Sequence, residues 1–117
     1  MVGEIGQGNH AAYAATKGAI NALTKSMAID YASVGIRVNS VMPAAVMTPM
    51  LNKWTLEQPQ PTQVFDFLKD IHLLGYCPDG DVIADAYVFL LSNQARFITG
   101  VNLPVSGGAE LGYRRNV

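Results

Sequence analysis

The spacing of apolar and polar positions divides the chain into two firm helices, two short strands and a broken helical stretch between them. From position 11 to 32, Tyr13, Lys17, Ile20, Leu23, Met27 and Tyr31 recur at intervals of three or four, the helical period. Small residues fill the gaps, so this helix can approach a neighbour closely. Ser33, Val34 and Gly35 stop it, Gly35 being suited to a left-handed exit. Residues 36–42 are β-branched-rich and predict a strand closed by Pro43. Residues 44–49 predict a loop. A helical start at 50–54 is interrupted by Pro59 and Pro61, and Val64, Phe65, Leu68, Ile71 and Leu74 then resume the period, giving helical segments within 50–75. After a turn at Cys77, Pro78, Asp79 and Gly80, a second firm helix covers 80–92 with an Asp near its positive end. Residues 101–105 predict the last strand, and Ser106, Gly107 and Gly108 its exit.

A strand, a helical crossover and a second strand imply a parallel pair joined right-handedly. Two strands do not complete a parallel sheet, because both faces and both edges need cover. The expected fold class is therefore α/β: the second half of a doubly wound domain over 1–117, with the first half outside these residues. The Gly-rich opening (residues 1–9) precedes any predicted element, which strengthens that expectation.

Composition narrows the class of partner. Half of the 117 residues are hydrophobic and the net charge is −1 with charges scattered, so no nucleic-acid or polyanion partner is expected. Cys77 is the single cysteine, which excludes an internal disulfide and fits a reducing, cytoplasmic setting. No apolar run reaches the roughly 18 residues of a membrane span, and no metal-ligand cluster is evident.

The chemistry starts at the first helix. Tyr13 and Lys17 are four apart and share a helix face. A phenol with pKa near 10 is a poor acid or base at neutral pH, and a neighbouring ammonium favours the phenolate. Such a pair suits moving a proton on or off a hydroxyl. Tyr-x-x-x-Lys also occurs by chance on surface helices, so it gains weight only in combination with the motifs further along the chain.

Residues 13–19 (Tyr-Ala-Ala-Thr-Lys-Gly-Ala), 37–43 (Arg-Val-Asn-Ser-Val-Met-Pro), 46–50 (Val-Met-Thr-Pro-Met) and 97–108 (Phe-Ile-Thr-Gly-Val through Gly-Gly) resemble, in this order and spacing, the active-site helix, adjoining strand, nicotinamide-side loop and last strand of the short-chain dehydrogenases/reductases. The ending Gly-Gly-Ala-Glu-Leu-Gly-Tyr is similar first to the 17-beta-hydroxysteroid dehydrogenases within that family and to the related fucose-type sugar dehydrogenases. The resemblance implies a Rossmann-like fold, NAD or NADP as cofactor, and a small secondary alcohol or ketone as substrate. It makes Tyr13 the general acid/base and gives Lys17 a second task, holding the nicotinamide ribose. Pro43, Ala44, Val46 and Thr48 would border the nicotinamide, and His10, Met47, Met50 and Trp54 are the candidate substrate contacts, the last three as a mobile apolar lid. A helix simply packed on its neighbour explains Met47, Met50 and Trp54 as well, and an exposed loop histidine explains His10.

The family's Gly-rich phosphate loop does not occur here, since Gly3, Gly6 and Gly8 follow no strand. The residue selecting NAD or NADP and the Asn of the family's upstream Asn-Asn-Ala-Gly motif do not occur here either, the count to the family's active-site Ser falls at or just before Met1, and Ala44 stands where Gly is usual. Asn39 and Asn21 read as structural hydrogen-bonders, Cys77 as inert, and Tyr113, Arg114 and Arg115 as a solvated tail. Three functional readings are compatible with these residues. One is the carboxy-terminal portion of an NAD(P)-dependent oxidoreductase, inactive by itself. Another is a non-catalytic homologue pairing with full-length subunits through helix 11–32, the surface through which homo-oligomers of this family commonly form. The last is a fragment without a function of its own.

Overall fold

The computed structural model describes Gly8 and residues 10–111; the rest of the Gly-rich opening and the Tyr113, Arg114 and Arg115 tail lie outside the described residues. The elements are α1 (Ala11–Ala32), β1 (Ser40–Pro43), α2 (Pro49–Leu56), α3 (Pro61–Asp70), α4 (Gly80–Leu91), a 3-10 turn (Asn93–Ala95) and β2 (Asn102–Val105). β1 and β2 pair in parallel, with Ser40 opposite Asn102 and Pro43 opposite Val105.

Local chemistry sets each boundary. α1 ends with Ile36 N–H donating to Tyr31 C=O and Gly35 N–H to Ala32 C=O, while Gly35 takes φ +75°, a Schellman stop. Thr48 caps α2 by accepting from Leu51 N–H at 3.1 Å, and Pro49 supplies a first residue that needs no donor. Pro61 likewise opens α3. The helical segments expected within 50–75 are α2 and α3, separated at Pro59 and Pro61, with the second ending at Asp70.

The first strand is shorter than its β-branched run, which predicts 36–42. Ladder pairing begins only at Ser40, because the approach to β2 turns at Gly100 (φ +75°) and offers no regular strand before Asn102. Side chains hold residues 36–39 instead. Asn39 donates from Nδ2 to Ile98 C=O at 3.1 Å and accepts Val101 N–H at Oδ1 at 3.0 Å. The Arg37 guanidinium donates to Ile98 C=O at 3.1 Å and to Leu90 C=O at 2.8 Å, a cation at the negative end of α4.

The buried apolar residues are few: Ala28, Met42, Leu68, Leu90 and Ala95. On α1 the buried residues are Asn21, Thr24 and Ala28, whereas Ile20, Leu23 and Ile29 are exposed. The large apolar residues that reveal the helix in the sequence therefore face away from the described strands, and small residues make the contact. A compact domain of this length has a radius of gyration near 13 Å. The observed 16.3 Å fits a chain whose apolar surface is only partly covered.

Leu73 packs over the turn after β2. A Cβ on Gly108, which sits at φ +86°, would lie 2.7 Å from Leu73 Cδ1 and 3.0 Å from Leu73 Cβ. Gly108→Ala is expected to lower stability by about 1–3 kcal/mol in urea denaturation. Gly80→Ala, with open space around its Cβ, is expected to leave the midpoint unchanged or raise it slightly.

Candidate active site

The first turn of α1 gathers three ring or charged groups. His10 Nδ1 lies 2.7 Å from Gly8 C=O, so this nitrogen carries the proton and donates. The His10 ring meets Tyr13 edge-on, with centroids 6.0 Å apart and planes at 77°. Lys17 Nζ sits 5.3 Å from the centre of the Tyr13 ring. The ammonium thus lies over the ring face, a cation–π arrangement worth about 0.5–1 kcal/mol at an exposed site. The helical offset of four residues brings Tyr13 and Lys17 together, and Tyr13 remains half exposed and open to a ligand.

Contacts along α1 show which end of the sheet this group occupies. Ala28 lies beside Gly100, where an added Cβ would stand 3.4 Å from Ala28 Cβ, and Asn21 C=O accepts from Asn102 Nδ2 at 3.2 Å. Passing back along α1 from Ala28 to Asn21 therefore moves forward along β2, so the helix runs antiparallel to the strands. Tyr13 is a further eight positions back, about 12 Å of helix. The remaining length of β2 from Asn102 to Val105 is about 10 Å. Tyr13 and Lys17 are accordingly level with the carboxyl ends of both strands, where open α/β sheets bind their ligands.

The loop after β1 occupies that same end. Pro43 closes the strand, and Ala44, Val46 and Met47 are half buried. Thr48 N–H donates to Val46 C=O at 2.8 Å, and Met47 N–H donates to Pro78 C=O at 2.7 Å, tying the loop to the entrance of α4. Trp54 lines a cleft of about 400 Å³ between α2 and α3, with Gln58, Gln63, Val64 and Phe67. Met47 and Met50 are not on its walls, and Met50 is highly exposed, so these three candidate contacts do not converge. The sequence reading missed the glutamine amides around Trp54, whose only signal is their repetition through 58–63.

One further group is placed by the structure. His72 is buried, donates from Nδ1 to Leu68 C=O at 2.7 Å, and lines a cavity of about 160 Å³ with Tyr76 and Ser106. No cluster of His, Cys, Asp and Glu able to hold a metal occurs among the described residues.

A family model described as enoyl-(acyl carrier protein) reductase matches residues 1–110. The L-fucose dehydrogenase of Bos taurus is 42% identical over 115 residues, covering 98% of this chain and 42% of that protein. The chain belongs to the short-chain dehydrogenase/reductase family. Among solved structures, the Cj0485 dehydrogenase superposes with a TM-score of 0.89 at 35% identity, covering 99% of this chain and 45% of that one. The 4-hydroxyisoleucine dehydrogenase complexed with NADH gives a TM-score of 0.84 at 31% identity, covering 96% of this chain and 44% of that one. These are Rossmann-like α/β proteins, and this short-chain dehydrogenase/reductase chain spans less than half the length of the relatives it matches. No described helix is long and apolar enough to cross a membrane.

Burial, and then the neighbouring Asp79 carboxylate, push the Cys77 thiol of this family member above its usual range. Less thiolate is therefore present at neutral pH. Its reaction with a disulfide reagent at pH 7.5 is expected to be slower than that of a free cysteine peptide and to speed up as pH rises, followed by absorbance.

Proposed function

We propose that this chain carries the proton-transfer half of an NAD(P)-dependent oxidoreductase that interconverts a secondary alcohol and a ketone. The observation that carries the reading is the placement of Tyr13 and Lys17 together on α1, level with the carboxyl ends of the strands. Tyr13 Oη takes the hydroxyl proton in the oxidation direction and returns it in the reduction direction. The Lys17 ammonium offsets the negative charge on the phenolic oxygen and is available to the ribose hydroxyls of a dinucleotide. Pro43, Ala44, Val46 and Thr48 would border a nicotinamide, and His10, beside Tyr13, would meet the substrate, whereas Met47, Met50 and Trp54 form no common wall for it. A bound nicotinamide dinucleotide supplies the hydride donor or acceptor. The similarity to L-fucose dehydrogenase supports a polyhydroxylated alcohol as the substrate.

The chain is read as the carboxy-terminal portion of the domain, without the Gly-rich loop that anchors a dinucleotide's phosphates. Titration of the isolated chain with NADH and NADPH, followed by nicotinamide fluorescence, is expected to give no saturation in the micromolar range; tight binding overturns this part. Joined to the dinucleotide-binding half of a relative, the chain is expected to restore turnover of a secondary alcohol. There Tyr13→Phe lowers kcat by roughly 10²–10⁴-fold. A Tyr13→Phe protein with unchanged kcat removes the mechanism.

The exposed apolar face of α1 favours a second reading, a subunit that pairs through this helix. Ile20 and Leu23, three positions apart on one side of the helix, present apolar surface there without a described partner helix. Light scattering of the chain is expected to report a dimer that Leu23→Glu dissociates, and a folded monomer at all concentrations counts against pairing.

A further inference from the structure

The geometry points to Asn102 as the positioning residue that fixes the axial setting of α1 and so holds Tyr13 and Lys17 at the strand ends. The importance of that setting rests on the proton-transfer role proposed for the pair; the tie itself does not.

Asn102 opens β2 opposite Ser40 in the parallel register. Its planar amide serves two elements at once. Oδ1 accepts from Ser40 Oγ at 2.5 Å, across the strand pair, and Nδ2 donates to Asn21 C=O at 3.2 Å, across to the helix. A helical carbonyl has two lone pairs, so Asn21 C=O can take this bond without giving up its place in the helix.

Asn21 lies one turn beyond Lys17 and two beyond Tyr13, on the same face. From Ala11 to Ile20 no residue is fully buried, with Ala14, Lys17 and Gly18 only partly covered. Thr24 is also buried on this face with its hydroxyl donating to Ile20 C=O within the helix, and Ala28 meets Gly100 in a contact of small apolar groups that has no directional preference along the axis. A slip of α1 by one residue moves a side chain about 1.5 Å along the axis and turns it by about 100°. A contact between small groups opposes such a slip weakly, whereas the Asn102 hydrogen bond is lost by it.

Three variants separate the two arms of the amide. Asn102→Ala removes both bonds. Asn102→Asp keeps an acceptor for Ser40 Oγ but sets a carboxylate oxygen against Asn21 C=O. Ser40→Ala removes the strand arm alone. Hydrogen exchange of the 117-residue chain, followed amide by amide by NMR, reads the outcome without cofactor or turnover, so it stands apart from the dinucleotide titration and the Tyr13→Phe assay. Asn102→Ala and Asn102→Asp are expected to speed exchange of the amides at 17–20 about 3- to 10-fold, the range of one net hydrogen bond. Those at 40–42 and 28–32 should change less than twofold in Asn102→Asp, and Ser40→Ala should leave 17–20 unchanged. A uniform rise throughout the chain, no rise at 17–20, an equal effect of Ser40→Ala, or failure of both Asn102 variants to fold overturns the assignment.

Discussion

The parallel register between β1 and β2 is the constraint on which the described structure depends. Only when Ser40 stands opposite Asn102 does the Asn102 amide reach both the neighbouring strand and α1. The same register places Asn39 to bond both Ile98 and Val101, and it brings Arg37 to the last carbonyls of α4. A shift by one residue would turn each of these side chains to the opposite face of the sheet. Four residues in each strand are too few for backbone pairing to hold that register alone. The side-chain bonds that flank the ladder supply what its length does not.

With the register held, chemistry is a matter of direction. A helix antiparallel to a strand pair presents its amino end at the strands' carboxyl ends, and there the phenol and the ammonium lie within one turn of each other. The role proposed for Tyr13 and Lys17 has two separate supports. One rests on order and spacing of short motifs, the other on where α1 is seated. What the described residues lack is cover: Ile20, Leu23, Val88, Leu91 and Phe97 are all exposed. Relatives of more than twice this length have additional chain with which to bury such surface.

How much of this is legible in the sequence differs from element to element. The exit of α1 is written locally, because Gly35 is the residue that takes a positive φ without strain. The α/β class, the parallel pairing and the membership of the short-chain dehydrogenases/reductases are readable from the order of elements and motifs. The length of β1 is not, since its run of β-branched residues says nothing about where a partner more than sixty positions away begins to pair. Nor is the facing of α1: its large apolar residues mark a helix, but small ones form its seat on the strands. The tie through Asn102 carries no sequence signal, because a polar residue in a short strand reads as solvent-facing until the helix above it is placed.

Pro104 carries a consequence of its own. Because Ser40 N–H donates to Val101 C=O, alternation along β2 turns the backbone groups of Leu103 toward β1 and those of Asn102 and Pro104 to the opposite side. Proline has no N–H, so that outer margin lacks a donor in its middle, and a further strand would find its docking line broken. By the same alternation the outer margin of β1 carries the Val41 N–H and then Pro43, which has none. Each outer margin therefore offers one backbone donor before a proline, and a strand added on either side forms only a short ladder.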